Sequence, residues 1–380
     1  MKRVAVIFGG RAVEHEVSVI TGMQVMENLN PSKYEVVPVF ITKDGEMFTG
    51  DCYLEFKNFK DNSFDGKKGC RFSMNYGDHH LYIEQGGLFK KTEPLAIDVV
   101  VLATHGSHGE DGALQGIFET NGIPFTGPSV ISSGAGMDKV LMKDIYKANG
   151  IPVVQYEWFF RRSYEENPDA VVAQIENHLK YPLFVKPSNL GSSIGIAVAH
   201  DREELIHAID VACSFDRKII VEEALEGARE FNCAVMGIFD SLETSSVEEA
   251  SNEEEYLSFE KKYVSGNKSK LTGGNHQFVQ DETLVQGAKE LAKKAFRSID
   301  ARGNARVDIL VSKSGEMFVN EINTLPGSCA FYLWEDVGYT FASVLDQMIG
   351  IAMEAQKEEE KTNYRFDADL FHKTGYGSKL

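Results

Sequence analysis

With 380 residues, 43% hydrophobic and 25% charged, the chain has the composition of a soluble globular protein large enough for more than one domain. A net charge of −18 disfavours a general affinity for nucleic acid or anionic membrane, yet leaves room for a small anion held by a few placed Lys and Arg. No apolar run approaches the ~20 residues that span a bilayer. The five cysteines (Cys52, Cys70, Cys213, Cys233, Cys329) include no Cys-x-x-Cys spacing, which argues against a disulfide framework or cysteine zinc site and fits a reducing cytoplasm.

From Met1 to about Gly127 the pattern is α/β: strand Val4–Phe8, a helical stretch Ser18 to Leu29, strand Val36–Ile41 and strand Val99–Ala103. The first apolar run is too short for a secretory signal and enters Gly9-Gly10, so it reads as a strand. The polar, glycine-containing segment between Thr42 and Lys91 reads as hairpins. His105-Gly-Ser-His108-Gly-Glu110-Asp111-Gly112 then follows the Val99–Ala103 strand. His-x-x-His with nearby acids is compatible with zinc, but no third ligand has motif spacing. A glycine-rich loop at the carboxyl end of a parallel strand is where an open α/β sheet meets its ligand, and a substrate-facing loop is the favoured reading.

A second block starts near Pro128. Met137-Asp138-Lys139 opens a helix over Lys139–Asn149, and strand Leu183–Lys186 leads to Gly191-Ser192-Ser193-Ile194-Gly195. Glycines admit a close ligand, and the amides and hydroxyls of this loop can cradle phosphate. It is not a Walker loop, no complete Gly-x-Gly-x-x-Gly occurs, and alone it is equally a surface turn. Lys186 at the strand end is placed to neutralise phosphate, and Lys139 at the helix start either meets the same phosphates or is an ordinary exposed helix lysine. After a helix following Asp201, strand Lys218–Glu222 runs into Glu223, with Glu230 beyond it. These carboxylates suit a ribose or adenine amino group, or are simply solvated.

The third block, from about Gly227, has strand Phe231–Gly237, a polar insertion, a helix near Leu284–Ser298, a hairpin, and a final helix from Phe341; residues 357–380 read as a tail. The hairpin carries Arg306-Val-Asp308 and Glu321-Ile-Asn323 on either side of a Ser312–Gly315 turn. Side chains two apart on a strand share a face, so one wall gathers two carboxylates, an amide and a guanidinium. Carboxylates and an amide oxygen are hard ligands suited to Mg²⁺ shared with nucleotide phosphates. A permanently charged fork beside them matches a developing anion. For this hairpin alone, a solvated strand face with ordinary ion pairs is the plain alternative.

Together these motifs resemble those of ATP-grasp ligases, and within that group of the D-alanine–D-alanine ligase family, over roughly 350 residues. The resemblance rests on Phe8-Gly-Gly-Arg-Ala-Val-Glu14-His-Glu16-Val-Ser18, the His105–Gly116 loop, Gly127, Met137-Asp-Lys139, Lys186-Pro and Gly191–Gly195. Glu223 with Glu230, Arg306-x-Asp308 and Glu321-Ile-Asn323-Thr-Leu-Pro-Gly327 complete it. It implies an α/β, three-domain ATP-grasp ligase: an N-terminal open α/β domain (1–127), a central subdomain (128–226) and a C-terminal subdomain (227–356). It also implies a cytoplasmic homodimer making D-alanyl-D-alanine for peptidoglycan, with ATP and two Mg²⁺ ions, for which Mn²⁺ substitutes. Lys139, Lys186, Ser192 and Ser193 would hold the ATP phosphates, Glu223 and Glu230 its adenosine, and Asp308, Glu321 and Asn323 the metal. Glu14, near His105, would take the first D-alanine's ammonium, and Arg306 with the Gly327 amide would stabilise the oxyanion. A closing loop with Lys262 and Tyr263 would cover the site, with Tyr263, Ser192 and Glu14 as one hydrogen-bonded set. One position departs: where the family places a serine that grips the second substrate's carboxylate stands Tyr332. Phe331 and Trp334 read as core. Two alternatives stay open: another acceptor (D-serine, D-lactate or a different amine), or a nucleotide-binding regulator without catalysis.

Overall fold

The computed structural model describes residues 1–86, 91–250 and 276–366. In the first domain β1 (Lys2–Gly9) lies between β2 (Tyr34–Ile41) and β7 (Val99–Leu102), all parallel. Val4, Val6, Val99 and Val101 are fully buried, as strands covered on both faces must be. β2 continues antiparallel into β3 (Met47–Thr49), β4 (Lys68–Phe72), β5 (His80–Glu84) and β6 (Thr92–Ala96), so the hairpin reading holds for β2–β3 and β4–β5, while Asp51–Leu54 and Phe56–Asp61 are short helices it did not include. The helix after β1 spans His15–Asn28 and packs so closely that a Cβ on Gly22 would sit 2.5 Å from Phe8.

The second domain is an antiparallel sheet in the order β10-β9-β11-β8, where β8 is Tyr156–Phe160, β9 Leu183–Pro187, β10 Ala197–Ala199 and β11 Lys218–Glu223. Helices Pro168–His178 and Arg202–Phe215 cover the face carrying Val185, Ile219 and Val221. By alternation, Lys186, Ile220 and Glu222 occupy the opposite face. That face meets the third domain, since Lys186 Nζ lies 3.4 Å from Asn320 Oδ1.

The third domain is a sheet ordered β14-β13-β12-β15-β16: β12 is Arg229–Ile238, β13 Ser241–Glu249, β14 Gln277–Phe278, β15 Gly303–Val311 and β16 Met317–Asn323. Helix Glu282–Ser298 buries Ala288, Ala292, Ala295 and Phe296 against Phe231, Val307 and Ile309. Helix Phe341–Glu359 packs Val344, Leu345 and Met348 into a core shared with Val4, Val6 and Val25 of the first domain. One apolar core thus fixes the first domain against the third. No helix among the described residues is long and apolar enough to cross a membrane.

Candidate active site

The wall on β15 and β16 forms as alternation predicts. Arg306 faces Asn323 and Asp308 faces Glu321 across the ladder, so all four share one side. Arg306 Nε and Nη2 donate to the two Asp308 oxygens at 2.7 and 2.8 Å, and Asn323 Nδ2 donates to Asp308 Oδ2 at 2.9 Å. Beyond Glu321 the register slips: Ile309 pairs with Val319, leaving Asn320 as the extra residue of a β-bulge. The bulge lets Val319 and Ile322 both enter the core, and it turns Asn320 toward the second domain.

Lysines arrive from the helix Lys139–Ala148 and from β9. The helix Lys139–Ala148 starts at an Asp138 N-cap, whose Oδ1 accepts from Val140 and Leu141. Lys139, in its first turn, sits 3.2 Å from Glu321 and donates to the Leu190 carbonyl at 2.9 Å. Lys143, one turn on, is fully buried, 3.1 Å from Glu222, and donates to the Asn320 carbonyl at 3.2 Å. Lys186 donates to the other Glu222 oxygen at 2.7 Å. Burial alone would raise Glu222, but Lys143 and Lys186 outweigh it and hold the carboxylate down to about 2. Glu321 is likewise held to about 2, by Lys139, Lys186 and Arg306 against its burial. The site therefore concentrates cations on two ionised carboxylates, an arrangement that accommodates further anionic charge.

Glu223 lies on the opposite face of β11 from Lys186 and accepts from the Lys180 amide at 2.9 Å. The carboxylate that enters the lysine pocket is its neighbour, Glu222. Glu230 shares the site face of β12 with Asn232, and its charge reaches Lys186.

Glu14 is 3% exposed and hydrogen-bonds the Gly191 amide and the Ser192 side chain. Its slot is built from glycines: a Cβ on Gly106 would fall 2.2 Å from Glu14 Oε2, and one on Gly191 3.1 Å from Oε1. Gly106 also has φ +71°, which favours glycine. Oε2 is buried without a hydrogen-bond partner among the described residues, and burial pushes the carboxyl upward. Ser192 and Ser193 both adopt left-handed φ of 57° as the loop passes the slot.

His105 stands beside this slot, but its ring nitrogens are both engaged: Nε2 with Thr21 Oγ1 at 2.8 Å and Nδ1 with the Leu325 carbonyl at 2.9 Å. Burial pulls it down to about 4, so the ring is neutral. It therefore ties the first domain to the loop after the wall, and a contact with substrate would be made by a ring already held at both nitrogens. Glu110 works with it, accepting from Gly106 N at 2.7 Å and Leu325 N at 3.2 Å. His108 takes no part in a metal cluster; no group of three or more His, Cys, Asp or Glu able to hold a metal occurs among the described residues.

Tyr332 is half-buried, with its hydroxyl on Glu248 and its ring stacked on His276 at 4.5 Å. Phe331 stacks on Phe341 and Trp334 is fully buried, so both belong to the core as expected. Lys262 and Tyr263 lie outside the described residues. Asp308, Glu321 and the Asn323 amide suit a hard divalent ion that completes its shell with phosphate oxygens and water, the habit of Mg²⁺. Sequence reading missed Lys143, Asn320, Glu110, Thr21, Glu248 and His276. Only Lys143 carried a signal, its position one helical turn after Lys139.

Lysines from a helix and from one antiparallel sheet, meeting a carboxylate wall on another beside an open α/β sheet, define the architecture of an ATP-grasp ligase. Two family models match in sequence: D-ala D-ala ligase N-terminus over residues 3–128 and D-ala D-ala ligase C-terminus over residues 145–350. The D-alanine–D-alanine ligase of Thermosipho africanus is 38% identical over 98% of both chains. Among solved structures, the D-alanine–D-alanine ligase of Coxiella burnetii matches with TM-score 0.76 and 26% identity, covering 95% of this chain and 98% of its own. The VanG D-Ala:D-Ser ligase of Enterococcus faecalis matches with TM-score 0.76 and 32% identity, covering 92% and 99%. The chain belongs to the D-alanine–D-alanine ligase family and is an ATP-dependent ligase.

Proposed function

We propose that the chain joins two D-alanines through a D-alanyl phosphate, giving D-alanyl-D-alanine for peptidoglycan. The observation that carries this reading is Glu14: a buried carboxylate with one oxygen unpartnered among the described residues, hydrogen-bonded to the glycine-serine loop through Gly191 and Ser192. A site for an ammonium beside a site for phosphate is what activation of an amino acid by ATP requires. In this reading Glu14 Oε2 takes the donor's ammonium, a buried ion pair that offsets the cost of desolvating the carboxylate. Lys139, Lys186, Ser192 and Ser193 hold the phosphates, and Glu223 and Glu230 take the adenosine. Asp308, Glu321 and Asn323 would hold Mg²⁺, two ions with Mn²⁺ as a substitute, supplying charge neutralisation between the transferring phosphates.

The donor carboxylate attacks the γ-phosphate, and ADP leaves. The second substrate's amine then attacks the acyl carbon while Arg306 and the Gly327 amide stabilise the oxyanion. Closure by a loop bearing Lys262 and Tyr263 would keep water from the acyl phosphate. Tyr332, in place of a small hydroxyl residue, favours a second reading in which the acceptor is D-serine, D-lactate or another amine. Phosphate release with a panel of D- and L-amino acids and hydroxy acids, products identified by mass, separates them. ADP formed without D-alanine, or no dipeptide with it, would overturn the proposal.

A further inference from the structure

One part of the ligation still lacks a residue: the second substrate arrives as an ammonium and must lose a proton before its nitrogen can attack. The carboxylates described so far have other work. Glu14 faces the donor's ammonium, Asp308 and Glu321 form the metal wall, and Glu222 lies between two lysines. Glu248 is left over. It is 9% exposed, and among the described residues no lysine or arginine pairs with it. Its partners are His276 Nδ1 at 2.5 Å, Asn232 Nδ2 at 3.4 Å and the Tyr332 hydroxyl.

The sheet places this group beside the chemistry. Glu248 pairs with Asn232, Asn232 with Asp308, and Asp308 with Glu321, one row across β13, β12, β15 and β16. Two strand spacings, about 10 Å, separate the Glu248 and Asp308 backbones. That is room for one amino acid laid beside an acyl group held at the wall. Tyr332 closes the row: its ring lies nearly parallel to His276, at 13° and 4.5 Å, and it feels the charge of Arg306. The His276 side chain remains 22% exposed and so is reachable.

We propose that His276 takes the proton from the second substrate's ammonium, with Glu248 and Tyr332 as positioning residues. This rests on the ligase reading above. An ionised Glu248 accepts from Nδ1–H and leaves the lone pair on Nε2 as the base, the logic of any carboxylate–histidine pair. The ammonium proton passes to Nε2, and the freed nitrogen pair forms the bond to the acyl carbon. The carbon–oxygen bond to phosphate then breaks, and phosphate leaves with that electron pair and the nitrogen's second proton. The imidazolium returns its proton to solvent. The groups facing the imidazole are Glu248 from β13, Phe278 from β14 and Tyr332, with Asn232, Arg306 and Asp308 behind them.

The test compares two nucleophiles, D-alanine and hydroxylamine, across pH in the full-length enzyme with ATP and D-alanine as donor. Hydroxylamine is already unprotonated at neutral pH and needs no base. In His276→Gln, dipeptide formation at pH 7 should fall about 10²-fold and recover about tenfold per pH unit, while D-alanyl hydroxamate formation stays within about threefold. Glu248→Gln should show the same split, less deeply. Unchanged dipeptide rates and pH profile in His276→Gln would overturn the proposal. So would an equal fall of both products in both variants, which marks a structural role. Failure of the unmodified enzyme to form hydroxamate at all would instead sink the ligase reading on which it rests.

Discussion

Arg306 commits Nε and Nη2 to the two oxygens of Asp308, so its plane is fixed before any substrate arrives. A charge oriented in advance stabilises a transition state without reorganisation. Arg306→Ala should therefore lower kcat about 10²–10³-fold with little change in the KM for ATP. An effect confined to the ATP KM would show that Arg306 only binds nucleotide. Arg306→Lys should recover little, because an ammonium cannot reproduce the fork. Glu321→Gln removes a charge from the wall while keeping its shape. It should abolish ligation yet leave the fold and some nucleotide binding, and near-normal turnover at saturating Mg²⁺ would contradict the metal assignment. The wall was legible because period-two alternation holds within Arg306–Asp308 and within Glu321–Asn323, on one side of the bulge at Asn320. The same rule separates Glu222 from Glu223, but only once the face bearing Lys186 is known, and that face is set by strand pairing rather than by neighbours in sequence.

The loop from Leu325 to Ala330 shows what elements contribute. Leu325 is held at both ends of its peptide, its carbonyl by His105 and its N–H by Glu110. Ser328 N donates to Thr21 Oγ1 at 3.1 Å, so the Gly327 amide lies between two anchored points. Ser328, Cys329 and Ala330 follow with φ of 52°, 55° and 46°. Left-handed backbone at non-glycine residues costs about 1–2 kcal/mol each. Asn304 Nδ2, bonded to the Cys329 carbonyl at 2.6 Å, and Trp334 Nε1, bonded to Asn304 Oδ1 at 3.0 Å, oppose that strain. None of this was legible, since the partners come from sequence positions far apart.

The clamp has a pH signature. Burial pushes Glu110 up to about 7 from an ordinary 4.5, so the folded state holds a proton that the unfolded state gives up earlier. Its contribution to stability is present below about 4.5 and is lost as pH rises through about 7. His105, pulled down to about 4, has the opposite slope: its contribution is present above about 6.5 and is lost as pH falls. Glu110→Gln should therefore flatten the decline in unfolding free energy between pH 5 and 7, measured by denaturant titration. A parallel offset with the same slope as the unmodified protein would rule out this titration.

At the scale of the molecule, many strands of the three sheets were readable from apolar runs and glycine loops. Sheet order was not, because β4, β5 and β6 extend a parallel sheet antiparallel through pairing that turn residues do not encode. Nor was the helix Phe341–Glu359 predicted to join the first and third domains, although its apolar face is plain. An amine acceptor should be favoured over a hydroxy acid, so equal D-alanine and D-lactate should give mainly dipeptide at neutral pH, rising with pH. Tyr263→Phe should relax that preference. Predominant depsipeptide from the unmodified enzyme would move attention to Tyr332. The central claim is that a D-alanine whose ammonium is held by Glu14 beside the phosphate loop attacks ATP through its carboxylate. D-Alanine isotopically labelled at both carboxylate oxygens tests it, with the released phosphate analysed by mass. One labelled oxygen per phosphate, in step with ADP, is the predicted result; unlabelled phosphate accompanying dipeptide would contradict it.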